Sequence, residues 1–124
     1  MALRKRTASD QQANSDGERR DRDRSLETLS RQLLEADPTA RRWAARDLGE
    51  YPAAAATLCA RLAVESDLSV REAILDSLLG LGDGTVVSGL LPLLRSEDTN
   101  LRNSVIEVLQ SLPDAVAPHV RGLL

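Results

Sequence analysis

An internal repeat constrains the fold of this chain more than any other feature of its sequence. Three segments, beginning at Asp37, Asp67 and Asp98, align without gaps at offsets of 30 and 31 residues. The columns that repeat in all three are Asp37, Asp67 and Asp98; Ala40, Val70 and Leu101; Arg41, Arg71 and Arg102; Ala44, Ile74 and Val105; Ala45, Leu75 and Ile106; Leu48, Leu78 and Leu109; and Tyr51, Leu81 and Leu112. Self-similarity at a fixed period of this length is typical of arrays of stacked helical units.

Each repeat predicts a helical hairpin. The apolar columns follow one another at steps of three and four residues, which places them on one face of a helix. The initial aspartate stands where its side chain can accept hydrogen bonds from free backbone amides at the helix start. Gly or Pro ends each first helix, near Pro52, Gly82 and Pro113, and a second apolar stretch follows at 53–64, 85–95 and 115–124. The chain is therefore predicted to be all-α.

The composition agrees with a helical core. Aromatic residues make up 2% of the chain and Phe is absent, so the core must be packed from Leu, Ala, Val and Ile, which favours closely spaced helices. No apolar run approaches the roughly 20 residues of a membrane span, and no secretory signal is visible. With a single cysteine, these features predict a cytoplasmic protein without membrane contact. The excess of Arg over Lys, with abundant Ala, suggests a bacterial source.

The chain divides into a charged tail and one folded domain. Residues 1–24 have no apolar periodicity and carry seven basic and five acidic residues, so we expect a disordered tail. Residues 25–124 are expected to form the repeat domain, with repeats near 37–66, 67–97 and 98–124. The leucines within 25–35 predict one unpaired helix that caps the first repeat. The folded part carries nine basic and fourteen acidic residues, a net charge near −5.

The repeated motif resembles HEAT repeats, which have an armadillo-type fold, and especially the bacterial HEAT-like repeats first described in phycobilisome lyases. The motif is Asp-x-x-apolar-Arg, then Ala or Ile, a Leu-x-x-Leu-Gly-like ending and a Leu-rich second helix, and it covers 37–124. Repeat 2 matches best, whereas repeat 1 departs at Trp43 and repeat 3 at Ser104 and Pro118. The resemblance implies a short right-handed α-solenoid of about three HEAT-like hairpins with an N-terminal capping helix. It says little about function, because such repeats occur in scaffolds, lyase subunits and enzymes.

Few residues could support catalysis. Cys59 and His119 are the only Cys and His, and they lie on the second helices of the first and third repeats. If neighbouring helices are 8 to 10 Å apart, the two residues are roughly 18 Å apart. We therefore exclude a pair of nucleophile and base, which would need direct contact. One His and one Cys cannot build a zinc-type site, and no phosphate-binding glycine motif is present. We therefore expect no catalytic, cofactor-binding or metal-binding residues and no cofactor. The acidic fold should repel nucleic acid.

The recurring aspartates and arginines are interpreted as structural. Asp37, Asp67 and Asp98 should cap helices. The arginines of the fifth column can each reach an aspartate of the neighbouring repeat, which predicts a ladder of ion pairs along the stack. The ladder residues are Asp37, Arg41, Asp67, Arg71, Asp98 and Arg102.

The leading functional expectation is a non-catalytic module that binds another protein, as a scaffold or adaptor in bacterial signalling or complex assembly. A partner would lie on the wall formed by the second helices. The expected contact residues are Arg61, Gly89, Pro92, His119 and Arg121. Trp43 either fills space against the capping helix or is an exposed anchor for a partner.

Two alternative functions and one further surface stay open. One alternative is a subunit of an enzyme resembling the bilin lyases, which attach or detach a tetrapyrrole on phycobiliproteins. The other is a nucleic-acid binder through the Arg-rich tail. At the C-terminal end, Val105, Val108, Val116, Val120, Leu123 and Leu124 predict an exposed apolar end-face. That face would be a homodimer contact, a docking surface for another subunit, or the cut edge of a longer array.

Overall fold

A computed structural model describes residues 25–121, and within this range the chain contains helices and turns without a strand. Seven helices follow one another. Helix α1 includes 25–32, and the others are α2 (Pro38–Leu48), α3 (Ala55–Leu62), α4 (Leu68–Leu81), α5 (Gly84–Leu90), α6 (Thr99–Gln110) and α7 (Pro113–Arg121). The predicted disordered tail, with the nucleic-acid binding assigned to it, lies outside the described residues. Leu123 and Leu124 of the predicted end-face also lie outside them.

An aspartate precedes the first helix of each repeat and caps it. The side chain of Asp37 accepts a hydrogen bond from the backbone N–H of Thr39, and Asp98 accepts one from Leu101. Asp67 accepts two, from the backbone amides of Ser69 and Val70. Because these amides have no partner within their own helix, each cap stabilises the helix start, typically by about 1 kcal/mol.

Glycine and proline end the helices. Gly82 follows α4 with a φ of 53°, in the left-handed region that residues with a Cβ rarely adopt, and its N–H donates to the carbonyl of Leu78. Pro52 begins a 3₁₀ turn that leads into α3, and Pro92 stands in the 3₁₀ turn Leu91–Arg95 that follows α5. Proline has no N–H for the α-helical ladder, which explains why α5 is shorter than its sequence stretch of 85–95.

The helices are arranged in two layers. Helices α2, α4 and α6 pack side by side in one layer, and α3, α5 and α7 pack side by side in the other. Helix α1 lies beside α3, and the side chain of Gln32 donates to the carbonyl of Ala40 on α2. Within 25–121 no helix combines the length and apolar character that a membrane span requires.

One continuous aliphatic core joins the layers from Leu33 after α1 to Val108 on α6. Ala, Leu, Val and Ile supply almost all of it, and α2 contributes the small residues Ala44 and Ala45, both fully buried. Such small side chains let neighbouring helices approach closely. The side chain of Ser77 on α4 donates at 2.6 Å to the carbonyl of Ala45, which ties the first two repeats together.

The expected apolar end-face is smaller than the sequence suggests. Val105 and Val108 are 0% and 7% exposed because they pack inward onto the core, so the expectation that they contribute to an exposed face is wrong. Ile106 is 39% exposed and Val120 is 49% exposed, and Val116 is half-buried. The apolar column that contains Ile106 therefore faces partly outward in the third repeat.

Two adjacent leucines on α4 test the assignment of buried and exposed faces. Leu78 is fully buried, whereas Leu79 is 40% exposed. We predict that Leu78→Ala lowers the free energy of unfolding by about 2–5 kcal/mol, through lost burial and a residual cavity. Leu79→Ala should cost less than about 1 kcal/mol. Urea titration followed by circular dichroism measures both, and equal losses would contradict the packing of α4.

Candidate functional site

The arginine of the fifth repeat column holds the turn that precedes its own helix. Arg71 Nε donates to the carbonyl oxygen of Glu65 at 2.6 Å, and Arg102 Nη1 donates to that of Ser96 at 2.7 Å. Arg41 Nη1 donates to the carbonyl of Glu35, and to that of Ala36, at 2.8 Å. In all three repeats an accepting carbonyl lies six residues before the arginine. The repeated arginine therefore fixes the link between one hairpin and the next.

Ion pairs accompany this turn contact in two of the three cases, and one of the two joins neighbouring repeats. Arg71 Nη2 donates to Asp98 Oδ2 of the third repeat at 2.7 Å. The ladder hypothesis expects Arg41 to pair with Asp67 of the second repeat. Arg41 pairs with Glu65 instead, because the carboxylate of Glu65 lies closer to it. Arg41 Nε and Nη2 donate to the two oxygens of Glu65 at 2.7 and 3.1 Å, which is a bidentate arrangement.

Glu65 is the most enclosed charged residue among those described. It is 1% exposed, and besides the contacts from Arg41 its carboxylate accepts from Arg61 Nη2 at 3.3 Å and from the backbone N–H groups of Ser66 and Asp67. Burial alone raises the pKa of the Glu65 carboxyl, but the hydrogen bonds from Arg41, Arg61 and the backbone outweigh it and hold the pKa below its ordinary value. The group is therefore ionised at neutral pH and joins α2, α3 and the start of α4.

The surface formed by α3, by α5 with its following 3₁₀ turn, and by α7 is here called the second-helix face, and these elements carry the expected contact residues Arg61, Pro92, His119 and Arg121. Pro92 and Arg121 are exposed on it, and His119 is half-buried. Arg61 is partly buried by its pairing with Glu65. Gly89 is not the solvent-facing position that the alignment suggests, because a Cβ there would stand 2.5 Å from Cys59 Sγ on α3. At this point α3 and α5 approach so closely that only glycine fits.

A hydrogen-bonded pair stands on the second-helix face between α5 and α7. Ser88 Oγ lies 2.9 Å from His119 Nε2, and His119 Nδ1 lies 3.2 Å from the carbonyl oxygen of Ala115. A carbonyl can only accept, so Nδ1 carries a proton, and in the neutral imidazole Nε2 then accepts from the Ser88 hydroxyl. His119 is thus oriented by its own helix and held against the neighbouring one.

Cys59 packs on the opposite side of α5 from His119. Its thiol is buried against Gly89, with Val86 O at 4.0 Å from Sγ. Burial, assisted by the charge of Asp83, raises the pKa of the Cys59 thiol to about 11. The thiol stays protonated at neutral pH, and α5 separates it from the histidine.

Trp43 lies on the outer surface of α2. It is 49% exposed, and the guanidinium carbon of Arg46 stands 5.3 Å from the centre of its ring, close enough for a cation–π contact. This exposure favours the interpretation of Trp43 as an exposed residue over its interpretation as a side chain that fills space against the capping helix.

An open apolar groove runs between α1 and α3, and we call it the N-terminal groove. Its walls are Leu33, Leu34, Ala60 and Val64, and its volume is about 420 Å³. Leu34 and Val64 are 68% and 70% exposed, the two largest exposed fractions among the large hydrophobic residues of the described range. Such a concentration of uncovered apolar surface is typical of a binding site.

Three charged side chains border the N-terminal groove. Arg31 forms an ion pair with Glu27 along α1, and Arg61 projects from α3. Two other grooves differ in charge. The groove between α2 and α4 contains Arg42 and Arg46 against three carboxylates, and the groove between α4 and α6 contains Arg71 against three. Among these three grooves, only the N-terminal one has more arginine than carboxylate in its lining.

Sequence reasoning missed Glu65, Ser88 and the N-terminal groove. Glu35, Glu65 and Ser96 occupy one column two residues before the aligned aspartates, so extending the alignment would have exposed the turn contact. Ser88 precedes His119 by 31 residues, which is the offset between the second and third repeats. The two residues therefore occupy equivalent positions on neighbouring second helices, where their side chains can meet. The groove has no such signal, because it depends on how α1 docks.

Comparison with known proteins finds relatives in bilin metabolism. Over 74 residues, 58% of this chain, the sequence is 42% identical to the "Bilin biosynthesis protein PecE" of Mastigocladus laminosus and to the protein of the same name from Nostoc sp. (strain PCC 7120). The match spans 28% and 29% of those two proteins, less than a third of their length. No protein-family model matches the chain.

These relatives correct the leading functional expectation. The expectation of a non-catalytic scaffold that is not an enzyme is wrong, because the matched proteins are named for the biosynthesis of bilins. The similarity favours the bilin lyase-like alternative and supports the HEAT-like type first described in phycobilisome lyases. Fold resemblance alone could not reveal this, since the same repeats serve unrelated functions.

Replacing the buried carboxylate tests the junction of the first two repeats. We predict that Glu65→Gln lowers the free energy of unfolding at neutral pH by about 3–5 kcal/mol, because it leaves Arg41 buried without a counter-charge. Glu72→Gln, on the exposed surface of α4, is the matched control and should change it by less than about 0.5 kcal/mol.

The same pair of variants gives a pH signature. The pKa of Glu65 is lowered in the folded state, so its stabilising contribution is present above the ordinary carboxyl pKa and is lost as pH falls through the folded value. The wild type should therefore lose stability more steeply than Glu65→Gln as pH falls through the ordinary carboxyl pKa and below it. Parallel curves for the two proteins would show that Glu65 carries no net electrostatic stabilisation.

The thiol of Cys59 should be inert in the native protein. With its pKa raised to about 11 and its side chain buried, it should react with iodoacetamide at pH 8 at least about a hundredfold more slowly than in denaturant. Mass spectrometry of timed samples measures the rate, and rapid native labelling would contradict the packing of α3 on α5.

Proposed function

We propose that this chain works in bilin metabolism, as a subunit of a bilin lyase-like enzyme that handles a tetrapyrrole and the protein that carries it. The observation that carries the proposal is the 42% identity over 74 residues to proteins named for bilin biosynthesis. Because the match spans less than a third of those proteins, the chain is proposed to supply one part of such an activity and to act with another protein.

The arrangement of the helices supports this assignment. Residues 25–124 are proposed to form a right-handed solenoid of three HEAT-like hairpins, near 37–66, 67–97 and 98–124, with α1 as its cap. The two layers, the aspartate caps and the repeated arginine contact fit units that stack on one another. Stacked units of this kind provide long surfaces for a large partner.

The second-helix face is proposed to contact the protein that carries the bilin. Charged side chains are sparse on its first two helices. Helix α3 contains only Arg61, and α5 contains none, although Asp83 immediately precedes α5. The contact residues proposed here are Arg61, Pro92, His119 and Arg121, with Gly89 setting the spacing of the helices beneath. Trp43, on the other layer, is proposed as a separate anchor. A homodimer through the residual end-face stays a prediction.

Spectroscopy with a free bilin tests the proposed function. Bilins are linear conjugated tetrapyrroles whose visible absorption changes when a protein fixes their conformation. We predict that the full chain at micromolar concentration shifts the absorption of biliverdin or phycocyanobilin and raises its fluorescence. The chain unfolded in urea is the control. Spectra that stay superimposable with and without the folded chain would overturn the proposal.

A second arm of the same experiment adds the carrier protein. We expect the chain, mixed with a relative's partner subunit and an apo-phycobiliprotein, to change the amount of bilin that remains attached after denaturing electrophoresis. His119→Gln should weaken that effect about threefold if the second-helix face contacts the carrier, which corresponds to about 0.7 kcal/mol in binding. Glu107→Gln, exposed on α6, is the control.

A further inference from the structure

The N-terminal groove is an apolar surface with a cationic border, and no residue within 25–121 covers it. Leu34 and Val64 expose more than two thirds of their surface beside it, and Ala60, also exposed, belongs to its lining. A large exposed aliphatic surface at the junction of two helices is costly in water, so a ligand that covers it gains free energy in proportion to the apolar area removed from solvent.

The charge around this groove has the opposite sign to the rest of the fold. Its lining contains Arg31 and Arg61 against the single carboxylate of Glu27, whereas residues 25–124 carry a net charge near −5. Arg31 is exposed, and its ion pair with Glu27 joins residues four apart on one helix, a contact that solvent screens and that contributes little to stability. A carboxylate of a ligand can therefore replace Glu27 at Arg31 with little loss.

Arg61 is held ready on the other side of the groove. Its Nη2 is anchored by the buried carboxylate of Glu65, and its Nε is buried with no hydrogen-bond acceptor among the described residues. The anchoring fixes the guanidinium beside the apolar wall. An acceptor delivered by a ligand would relieve the unpaired donor after a small movement of the side chain.

We infer that the N-terminal groove binds the bilin itself, with the conjugated rings on Leu34, Ala60 and Val64 and the propionate carboxylates at Arg31 and Arg61. A bilin joins a long apolar ring system to two carboxylates, which matches an apolar groove bordered by two arginines. The grooves between α2 and α4 and between α4 and α6 contain more carboxylates than arginines and would repel such a dianion. This inference rests on the proposed function and adds the place where the tetrapyrrole lies.

Absorbance titration of the full chain with biliverdin tests the site. Val64→Glu and Ala60→Glu place a negative charge in the groove at exposed positions, and each should raise the dissociation constant at least about tenfold. Arg31→Gln should raise it about threefold to tenfold and flatten its dependence on salt concentration. Leu79→Glu, in the groove between α4 and α6, and Arg46→Gln, on α2, are the matched controls and should stay within about twofold of the wild type.

The outcomes separate the site from the function. Loss of binding in the groove variants with retention in the controls, at unchanged helical content, supports the inference. If the wild type and all variants bind biliverdin equally, the groove is not the site and the proposed function stands. If the wild type does not bind biliverdin, both are overturned. Amide shifts in NMR spectra of the labelled chain give an independent readout, and perturbations at Ser88 and His119 instead of Thr57 and Val64 would place the ligand on the second-helix face.

Discussion

The buried carboxylate of Glu65 is the interaction on which the first half of the structure depends. A charge removed from water must be compensated where it stands, and here two guanidinium groups and two backbone amides surround it. Those partners come from α2, from α3 and from the turn before α4, so satisfying one carboxylate fixes three elements relative to one another. The carbonyl of the same residue also accepts from Arg71. Glu65 therefore connects the registration of the hairpins with the orientation of Arg61 at the N-terminal groove.

The two layers divide the surface by charge. In the groove between α2 and α4, arginines of α2 face carboxylates of α4, whereas α3 and α5 of the second-helix face carry few charges. The N-terminal groove differs from both, because exposed aliphatic side chains form most of its walls. The surface proposed for the carrier protein and the groove proposed for the pigment therefore adjoin each other along α3 and share Arg61.

Most of the fold could be predicted from sequence, because its determinants are local. The steps of three and four residues, the aspartates at the helix starts and Gly82 at a helix end all act within one turn of helix. The side-chain geometry was less accessible. Arg41 has two acidic candidates near the second repeat, Glu65 and Asp67, and only packing shows that the former is closer. Val105 and Ile106 are adjacent apolar residues, and sequence alone did not show which one turns inward.

The contact between Gly89 and Cys59 carries a consequence for how such a chain can evolve. The α-carbon of Gly89 sits against the thiol so tightly that a single added methyl group would collide with Sγ and with the Cβ beneath it. Neither position can enlarge unless the other shrinks or the two helices separate, and separation would disturb the hydrogen bond from Ser88 to His119 on the far side of α5. Positions 59 and 89 are therefore coupled, and in descendants of this sequence their substitutions should arise as compensated pairs.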